Sequence, residues 1–416
     1  MKTVGSHWIA DVPSGWRIDT PRFAFSVRGE RAKPGMEQMT ASQQYGVIPQ
    51  SEYVKKTGSH VVVVEKDFTI LKAVYPGDFV IHMRSFQGGL ELSEVKGCTS
   101  SAYVMLIPGP QIHSARYYRW VFKCDGYINE LRSTSNLVRD GQAMRWANFI
   151  QVPIPFPPPE VQDSIAKYLD RETERIEELK DSIRAQIDAL EAYKRSLILR
   201  TVTKGLRPNA ELIDSNVDWI GDIPAHWSLR RLGTLFRVRN ERVSALSFEP
   251  LSVTKNGILP QLEHVAKTDY VDNRKLVKAG DFVINSRSDR RGSCGISPRD
   301  GSVSLINTVL ASRDSNEVPP YFGWLLHSEA FSDEFYRWGH GIVADLWTTN
   351  WDDMRRIVVP VPSAEEQDEI CNFLENCTMD LSSTIRAKRR QLEVLESYKQ
   401  SLIYEAVTGK KEVPVR

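Results

Sequence analysis

Residues 153–179 read PIPFPPPEVQDSIAKYLDRETERIEEL, and this stretch decides the fold. Proline cannot take part in the backbone hydrogen bonding of a helix interior, so the proline cluster predicts a boundary that opens into a helix at about Glu160. No Gly or Pro interrupts residues 160–204, and Gly205 predicts the end of the helix. A similar stretch, PVPSAEEQDEICNFL at 360–374, predicts a second long helix that Ser363 caps.

Both predicted helices carry apolar residues spaced mostly by three and four, as a heptad stripe requires. The stripe of the first includes Ile176, Leu179, Ile183, Leu190, Tyr193 and Leu197. The stripe of the second includes Leu381, Ile385, Leu392, Leu395, Tyr398 and Leu402. Because a helix of about 40 residues with one narrow stripe is unstable alone, we expect the two to pair as an antiparallel coiled coil. Tyr193 and Tyr398 are interpreted as residues of the packed core.

The sequence contains one pattern twice. WIADVPSGW (8–16) returns as WIGDIPAHW (219–227), GDFVI (77–81) as GDFVI (280–284), VPIP (152–155) as VPVP (359–362) and LEAYKRSLI (190–198) as LESYKQSLI (395–403). The order is the same in both halves, whereas the segments between the matches differ. An internal repeat of this kind indicates one architecture used for two different targets. The repeated tryptophans are expected to pin the start of each half onto the helices or the domain.

Strand-like runs lie between the matches, and Gly, Asp and Ser interrupt them. They are HVVVVE (60–65), DFVIHM (78–83), AYVMLI (102–107), DFVIN (281–285) and SVSLI (302–306). Such runs predict α/β or α+β packing. We therefore predict two copies of an α/β (α+β) domain, separated by the two antiparallel helices in an internal pseudo-two-fold repeat. The predicted bounds are 1–157 and 206–362 for the domains, and 158–205 and 363–416 for the helices.

Charge is distributed unevenly, although 54 basic and 53 acidic residues give a net charge of only +1. Residues 160–202 and 364–407 together carry 13 basic and 19 acidic residues, so these helical segments hold −6 and the remainder holds +7. This distribution permits phosphate contacts by the globular parts. The five cysteines lack CxxC spacing, which indicates reduced, buried thiols. Without a signal-peptide core or a run of about 18 apolar residues, we expect a cytoplasmic protein with no membrane partner.

The sequence resembles a known family through its boundary motifs and its two helices. A PIP–PPP–E–x–Q boundary leads into IAKYLDRETERIEEL and then EAYKRSLI, and the block repeats as PVPSAEEQDEICNFL and LESYKQSLI. This combination resembles the conserved regions of the specificity (S) subunits of type I restriction–modification systems, and the likeness covers essentially the whole chain. It implies two target recognition domains, each of which reads one half of a bipartite target in double-stranded DNA.

The resemblance also implies partners and a non-catalytic role. The helices would set the gap between the half-sites and dock two modification (methyltransferase) subunits, and restriction (translocase/nuclease) subunits are further candidate partners in a prokaryotic cytoplasm. The stripe residues above are then candidates for subunit docking as well as for helix packing. Methyl transfer and ATP-dependent cleavage would belong to the partner subunits, so we expect no cofactor.

Motifs for catalysis are absent from the sequence. Val318-Pro319-Pro320-Tyr321 lacks the polar first residue of an adenine methyltransferase motif, and no GxxxxGK[ST] phosphate loop exists. The eight His are dispersed, so no zinc site is expected. Asp78 and Asp281 of the repeated GDFVI could suggest a metal, but a turn aspartate before a core strand is preferred. An enzyme with an unrecognised nuclease or methyltransferase site and a purely structural coiled-coil adaptor remain the alternatives.

Candidate DNA contacts come from clusters of Arg, Asn, Gln, Ser and Thr, the side chains that read base edges. One cluster is NSRSDRRGS (285–293) with its first-half counterpart HMRSFQGG (82–89); another is Thr348, Thr349 and Asn350 beside His340, with Arg132, Ser133, Ser135 and Asn136 in the first half. From these we predict DNA contacts by Arg84, Gln87, Arg132, Asn285, Arg287, Arg290, Arg291, Thr349 and Asn350.

Position in the repeat separates two roles among these arginines. Arg84 and Arg287 occupy matched positions, and a residue shared by readers of different sequences discriminates poorly. Phosphate contact or an internal salt bridge is therefore preferred for that pair. Arg290 and Arg291 lie in sequence that does not match, and they are better candidates for base reading.

Overall fold

The computed structural model of the chain describes residues 8–9, 11–59, 61, 63–64, 68–82, 85–134, 144–261, 273–315, 318–341 and 347–414. These form two compact units, one comprising Met1–Ile183 with Arg390–Arg416 and the other Arg184–Arg389. Each unit therefore contains one mixed domain, the start of one long helix and the end of the other.

The first unit contains ten short strands and five short helices among its described residues. The strands are β1 (Arg17–Asp19), β2 (Phe25–Val27), β3 (Met39–Ser42), β4 (Gly46–Pro49), β5 (Lys72–Val74), β6 (Phe79–Ile81), β7 (Glu91–Leu92), β8 (Gly97–Thr99), β9 (Val104–Pro108) and β10 (Ile154–Phe156). The helices are α1 (Gln50–Thr57), α2 (Ser85–Gly88), α3 (Ala115–Lys123), α4 (Asp125–Ser133) and α5 (Trp146–Phe149). The strand predicted at 60–65 is wrong at its described residues 61, 63 and 64, which lie outside any strand.

The long helix α6 (Pro159–Lys204) follows, and the second unit then repeats the pattern. Its strands are β11 (Leu212–Asp214), β12 (Asp222–Pro224), β13 (Ser228–Arg231), β14 (Phe236–Val238), β15 (Arg242–Val243), β16 (Leu251–Thr254), β17 (Gly257–Pro260), β18 (Arg274–Val277), β19 (Phe282–Asn285), β20 (Cys294–Ile296), β21 (Gly301–Val303), β22 (Asn307–Ser312) and β23 (Val358–Val361). Its helices are α7 (Leu232–Leu235), α8 (Pro320–Leu326), α9 (Glu329–Arg337) and α10 (Trp351–Met354), and the second long helix is α11 (Ala364–Val407).

The sheets of the two units have the same order. The main sheet is β2-β9-β6-β7 in the first unit and β14-β22-β19-β20 in the second, with every pair antiparallel. The hairpin β3-β4 corresponds to β16-β17, and the pair β1-β10 to β13-β23. The GDFVI repeat supplies the inner strands β6 and β19, whose Phe-Val-Ile side chains are buried as a run of β-branched and aromatic residues predicts.

A matched pair of buried ion pairs supports the inner strands. The guanidinium of Arg28 contacts both carboxylate oxygens of Asp78 at 2.7 Å, and Arg239 contacts those of Asp281 at 2.7 and 3.0 Å. Each aspartate also accepts a backbone N–H three residues earlier, from Tyr75 or Lys278. The preferred interpretation of these aspartates, as turn residues before a core strand, agrees with this geometry.

The start of each half is pinned by tryptophan. The indole N–H of Trp8 donates to the carbonyl oxygen of Pro153 at 2.9 Å, and that of Trp227 donates to Glu366 at 3.0 Å. Ser363 caps α11 by accepting the N–H of Glu366 at 3.2 Å, as predicted. Because the Glu366 carboxylate binds Trp227, it fixes the start of α11 to the start of the second domain.

The two long helices run in opposite directions where they contact each other. In the first unit, Lys180 lies 2.5 Å from Glu396, and Lys399 lies 2.7 Å from Glu177. In the second unit, Lys194 donates to Ser382 at 2.8 Å, Lys388 to Gln186 at 2.5 Å and Arg389 to Glu191 at 2.7 Å. Residue numbers rise along α6 as they fall along α11, so the pairing is antiparallel within each unit.

The predicted apolar stripe is partly wrong. Ile176, Ile385 and Leu402 are buried, and Ile183, Leu190, Leu197, Leu381, Leu392 and Leu395 are partly buried. Leu179, Tyr193 and Tyr398, however, are 55, 57 and 54% exposed, so they do not pack in the core.

These three residues are exposed because the positions that face the other helix recur in alternating steps of four and three residues, and the three do not fall on those steps. On α6 these steps select Thr173, Lys180 and Lys194, and on α11 they select Thr378 and Lys399, all of which are buried or partly buried. Leu179, Tyr193 and Tyr398 each stand one position before a lysine that occupies the contact face. The long lysine stems cover apolar surface while their ammonium groups reach partners at its edge.

Candidate nucleic-acid interface

Two separated clusters of predicted DNA-contact residues meet in the second unit. The backbone N–H of Thr349 donates to the carbonyl oxygen of Ser286 at 3.0 Å, and Thr348 forms bridges with both Arg287 and His340. The segment after β19 therefore lies beside the segment before α10. Both clusters were predicted from the sequence, but their proximity was not, because about 60 residues separate them along the chain.

These segments border a polar cleft of about 490 Å³. Its polar lining consists of Asn240, Lys275, Ser286, Arg287, Thr308, Thr348, Thr349, Asn350 and Asp352. Hydroxyl, amide and cationic groups of this kind are the donors that bind phosphates and base edges. The apolar side chains of Leu305 and Ile306 stand at its edge, 37 and 44% exposed.

The three arginines after β19 differ in how firmly they are held. Arg287 lies 3.0 Å from Asp289, which fits the internal ion pair that the repeat favoured. Arg291 pairs with Asp333 and lies over the ring of Tyr336, 5.1 Å from its centroid. Arg290 is 67% exposed, and its nearest carboxylate is 3.7 Å away on Asp289. Arg290 is therefore the one of the three best able to reach a ligand.

Three other predicted contacts have structural roles. The hydroxyl of Thr349 is buried and donates to the carbonyl oxygen of Phe335, so this side chain is engaged within the domain. Asn350 caps α10 by accepting the N–H of Asp353, and Asn285 accepts the N–H of Arg287. The side-chain oxygen of each asparagine is therefore already an acceptor within the domain, whereas its NH₂ group can still donate to a ligand.

The corresponding region of the first unit is described only in part. Arg84, Ser135 and Asn136 lie outside the described residues. Gln87 is exposed on α2, and Arg132 is exposed on α4, where it donates to Asn129.

At the carboxyl ends of the inner strands β6 and β19, the two units have different side chains. In the first unit the buried carboxylate of Glu91 pairs with Lys123 and lies 3.8 Å from the Nε2 atom of His82. The matching positions in the second unit are Asn285 for His82 and Gly295 for Glu91, since Gly295 pairs with Val283 as Glu91 pairs with Val80. The units thus share a backbone but support different surfaces at the same strand end.

Each unit contains an arginine beside a lysine at matching positions, and this repeated pair of cations was not predicted from the sequence. The backbone of Arg31 forms an isolated β-bridge with that of Lys72 in the first unit. In the second unit Arg242 and Lys275 are backbone partners in the antiparallel pair β15-β18. The amines of Lys72 and Lys275 donate to the carbonyl oxygens of Tyr103 and Asn307 at 2.6 and 2.7 Å. Burial, together with the adjacent arginine, lowers the pKa of each lysine. A bound anion would reverse that shift. Arg31 and Arg242 stand 211 positions apart, as do Trp8 and Trp219, and Lys72 and Lys275 stand 203 apart, as do the two GDFVI motifs, so the repeat was the signal that could have identified them.

Neither a metal centre nor a membrane span is found in the described part of the chain. Asp78 and Asp281 are held by arginines, and no group of three or more His, Cys, Asp or Glu among the described residues could bind a metal ion. Neither the two long helices nor any other described helix has enough consecutive apolar residues to cross a bilayer. Cys98, Cys124, Cys294 and Cys371 are buried free thiols.

Two matching domains and two long helices define a fold that is also found in solved structures. One is a chain from work described as "Structural basis underlying complex assembly and conformational transition of the type I R-M system", with a TM-score of 0.71 and 17% identity over 97% of this chain and 100% of that chain. Another is the HsdS subunit from Thermoanaerobacter tengcongensis, with a TM-score of 0.53 and 17% identity over 97% of this chain and 99% of that chain.

No family model matches the sequence. At 17% identity, the likeness to these structures shows the fold. The chain has the fold of type I specificity subunits, as its resemblance to them implied.

Proposed function

We propose that this chain is the DNA-recognition subunit of a type I restriction–modification complex and that it carries no catalytic site of its own. The observation that carries this proposal is the duplication of one scaffold whose strand-end surfaces have diverged. A scaffold that places Asn285 and Gly295 in one unit, and His82 and Glu91 at the matching positions of the other, is suited to present different groups to two different half-sites.

In this proposal the domains at 1–157 and 206–362 each read one half of a bipartite target. The second domain would use the polar cleft and Arg290, and the first would use the surface that includes Gln87 and Arg132. Both domains would be held on DNA by cations that the repeat matches, Arg31 with Lys72 and Arg242 with Lys275. Contacts made alike by both halves suit the phosphate backbone, which carries no sequence information, whereas unmatched residues suit bases.

The long helices would fix the gap between half-sites and dock two modification subunits. Half-site centres about one DNA turn apart, roughly 34–36 Å, place both readers on one face of the duplex. A helix of 46 residues is about 69 Å long at 1.5 Å per residue, which is ample for that spacing. The exposed Tyr193 and Tyr398, in matched LExYK sequences, are suited to offer equivalent contacts to two copies of one partner.

Genome-wide methylation mapping tests the proposal directly. The chain would be co-expressed with its cognate modification subunit in a methylation-free host, and each would be expressed alone as a control. We expect a split motif, with two short half-sites and a fixed gap, only when both chains are present. A continuous motif, or methylation by this chain alone, would contradict the two-reader, non-catalytic function.

A swap experiment distinguishes a DNA reader from a structural adaptor. Residues 1–157 would be replaced by the corresponding segment of a relative with a different target. The proposal predicts that one half-site changes and the other half-site stays. An adaptor would leave the methylated sequence unchanged.

A further inference from the structure

A second cavity of the second unit lies outside the polar cleft. It has a volume of about 460 Å³, within the range of roughly 300–1,000 Å³ that is usual for small-molecule pockets. The end of α6, the turn between β16 and β17, and the helices α8 and α9 surround it. Its lining consists of Lys194, Arg195, Ile198, Lys255, Arg291, Gly292, Trp324, His327, Ser328, Glu329 and Ser332.

The charge of this lining is net positive. Four cationic side chains, from Lys194, Arg195, Lys255 and Arg291, line the cavity together with the carboxylate of Glu329, and Arg291 also pairs with Asp333. Glu329 lies 3.4 Å from Arg195, and the ammonium of Lys194 donates to the neutral hydroxyl of Ser382. Two carboxylates against four cations leave a net charge of about +2, so the cavity favours an anion with more than one negative charge.

The lining also includes apolar side chains and a neutral imidazole. Trp324 and Ile198 supply flat and aliphatic surface. The Nε2 atom of His327 lies 3.0 Å from the carbonyl oxygen of Lys255, which can only accept, so Nε2 carries the proton. Burial lowers the pKa of His327 and favours the neutral ring. In the neutral ring the Nδ1 atom is a hydrogen-bond acceptor for a ligand donor.

The first unit lacks this combination of residues. In the repeat, Arg195 corresponds to Gln400, and Arg291 corresponds to Gly88. Lys399, which matches Lys194, is held by Glu177 at 2.7 Å. The cationic cavity is therefore a property of the second unit and not of the duplicated scaffold.

We propose that this cavity binds a small phosphorylated ligand that carries a flat apolar group, of the nucleoside phosphate class. The four cations would hold the phosphates, and the indole of Trp324 would pack against the base. An acceptor at His327 suits an exocyclic amino group of such a base. This site is separate from the proposed DNA-reading function, because it does not need Arg290 or the polar cleft.

Isothermal titration of the full-length chain with ATP, adenosine or tripolyphosphate, in EDTA, tests the site. Because phosphate and base contribute together, we expect ATP to bind roughly tenfold or more tightly than either fragment. Lys255→Ala and Arg195→Gln, the second of which introduces the residue of the first unit, should each weaken ATP binding roughly tenfold. The control Lys55→Ala, an exposed lysine of α1, should leave it unchanged.

Four outcomes would overturn the assignment. They are no ATP binding at about 1 mM, equal binding of ATP and tripolyphosphate, unchanged affinity in Lys255→Ala, and full competition by a short DNA duplex, which would assign the cations to the DNA backbone. Methylation mapping of the same variants reports on DNA recognition independently, so the two proposals can fail separately.

Discussion

The hydroxyl of Tyr117 donates a hydrogen bond to the carbonyl oxygen of Val407, 2.8 Å away and 290 positions later in the chain. Tyr321 makes the equivalent bond to Val202, also at 2.8 Å. Both tyrosines are completely buried, and burial raises the pKa of each well above its usual range. Each domain thus holds the carboxyl end of a long helix that does not follow it directly in sequence.

Tyr117→Phe is expected to loosen the end of α11. Phenylalanine fills the same volume but leaves the carbonyl oxygen of Val407 without this donor, at a cost of about 1–3 kcal/mol. Urea denaturation measures the loss of stability, and hydrogen exchange should accelerate at residues 402–408. Tyr398→Phe, an exposed tyrosine on the same helix, is the control and should change neither. Equal effects in both variants would show that the buried bond contributes nothing particular.

Asp281→Ala is expected to destabilise the second unit strongly. The substitution leaves the guanidinium of Arg239, whose pKa the bond to Asp281 raises, partly buried without its carboxylate. Breaking a buried ion pair in this way costs about 3–5 kcal/mol. Asp188→Ala, at an exposed position of α6, should stay within about 0.5 kcal/mol of the original protein in urea denaturation. A small loss in Asp281→Ala would mean that the pair is not a determinant of stability.

Stability of the first unit should fall with acid through the Glu177–Lys180–Glu396 network. Although burial raises the pKa of Glu177, hydrogen bonds from Lys399 and Lys180 lower it overall from 4.5, and Glu396 is shifted the same way. A carboxyl whose pKa is lower in the folded state contributes stability above its ordinary pKa, and that contribution is lost as pH falls through the folded value.

Lys180→Met tests this dependence, because it removes the ammonium that the two carboxylates share. We expect its denaturation midpoint to fall less steeply than that of the original protein below about pH 4.5. Lys194→Met is the matched control, since Lys194 occupies an equivalent contact position but bonds the hydroxyl of Ser382. If the denaturation midpoints of all three proteins fell with pH in the same way, the network would not be the source of the pH dependence.

Arg290→Ala and Arg242→Ala should separate base reading from phosphate contact. Loss of Arg290 should relax the methylated motif at one position, with a loss of about 1–3 kcal/mol of discrimination. Loss of Arg242, which is exposed on β15, should weaken binding to all sequences and reduce the salt slope by about one ion. The measurements are methylation mapping and salt-dependent binding of the assembled complex. The opposite pattern would reverse the two roles.

Tyr193→Ala and Tyr398→Ala should each impair one docking site for a modification subunit. A buried aromatic contact at an interface contributes about 2 kcal/mol, so each change should weaken one binding event roughly thirtyfold. Native mass spectrometry of the complex should show loss of one modification subunit in each single variant and of two in the double variant. Leu246→Ala, 86% exposed in the loop after β15, is the control. Intact assembly in the double variant would locate docking elsewhere.

Much of the scaffold could be predicted from the sequence because it depends on local rules. Proline and glycine bound both long helices to within a residue or two, and Gly205 and Gly409 end them with φ angles of 69° and 74°. The GDFVI repeat identified the inner strands of both sheets. The strand expected at 60–65 failed, because a run of valines satisfies the β-propensity without showing that a partner strand exists.

The candidate site was less predictable, because residues that are distant in sequence come together there only when the chain folds. Asp78 was visible as a repeated position in GDFVI, yet nothing local indicated that Arg28 binds it across 50 positions. Tyr193 was predicted to lie in the core because its apolar character was given more weight than the helical spacing, which places Lys194 on the contact face instead. The exposed position of Arg290 and the burial of Thr349 depend on neighbours that the sequence does not place.

The composition of the two cores has an evolutionary consequence. The core of the first unit contains Leu402, Ile403, Ala406 and Val407 from the second copy of the repeat, and the core of the second contains Val202 from the first. A polypeptide with one copy alone would have an unfilled groove and an unburied helix end, which a second identical molecule could satisfy reciprocally. Gene duplication would turn such a homodimer into one chain, and only then could the two halves mutate independently and acquire separate targets.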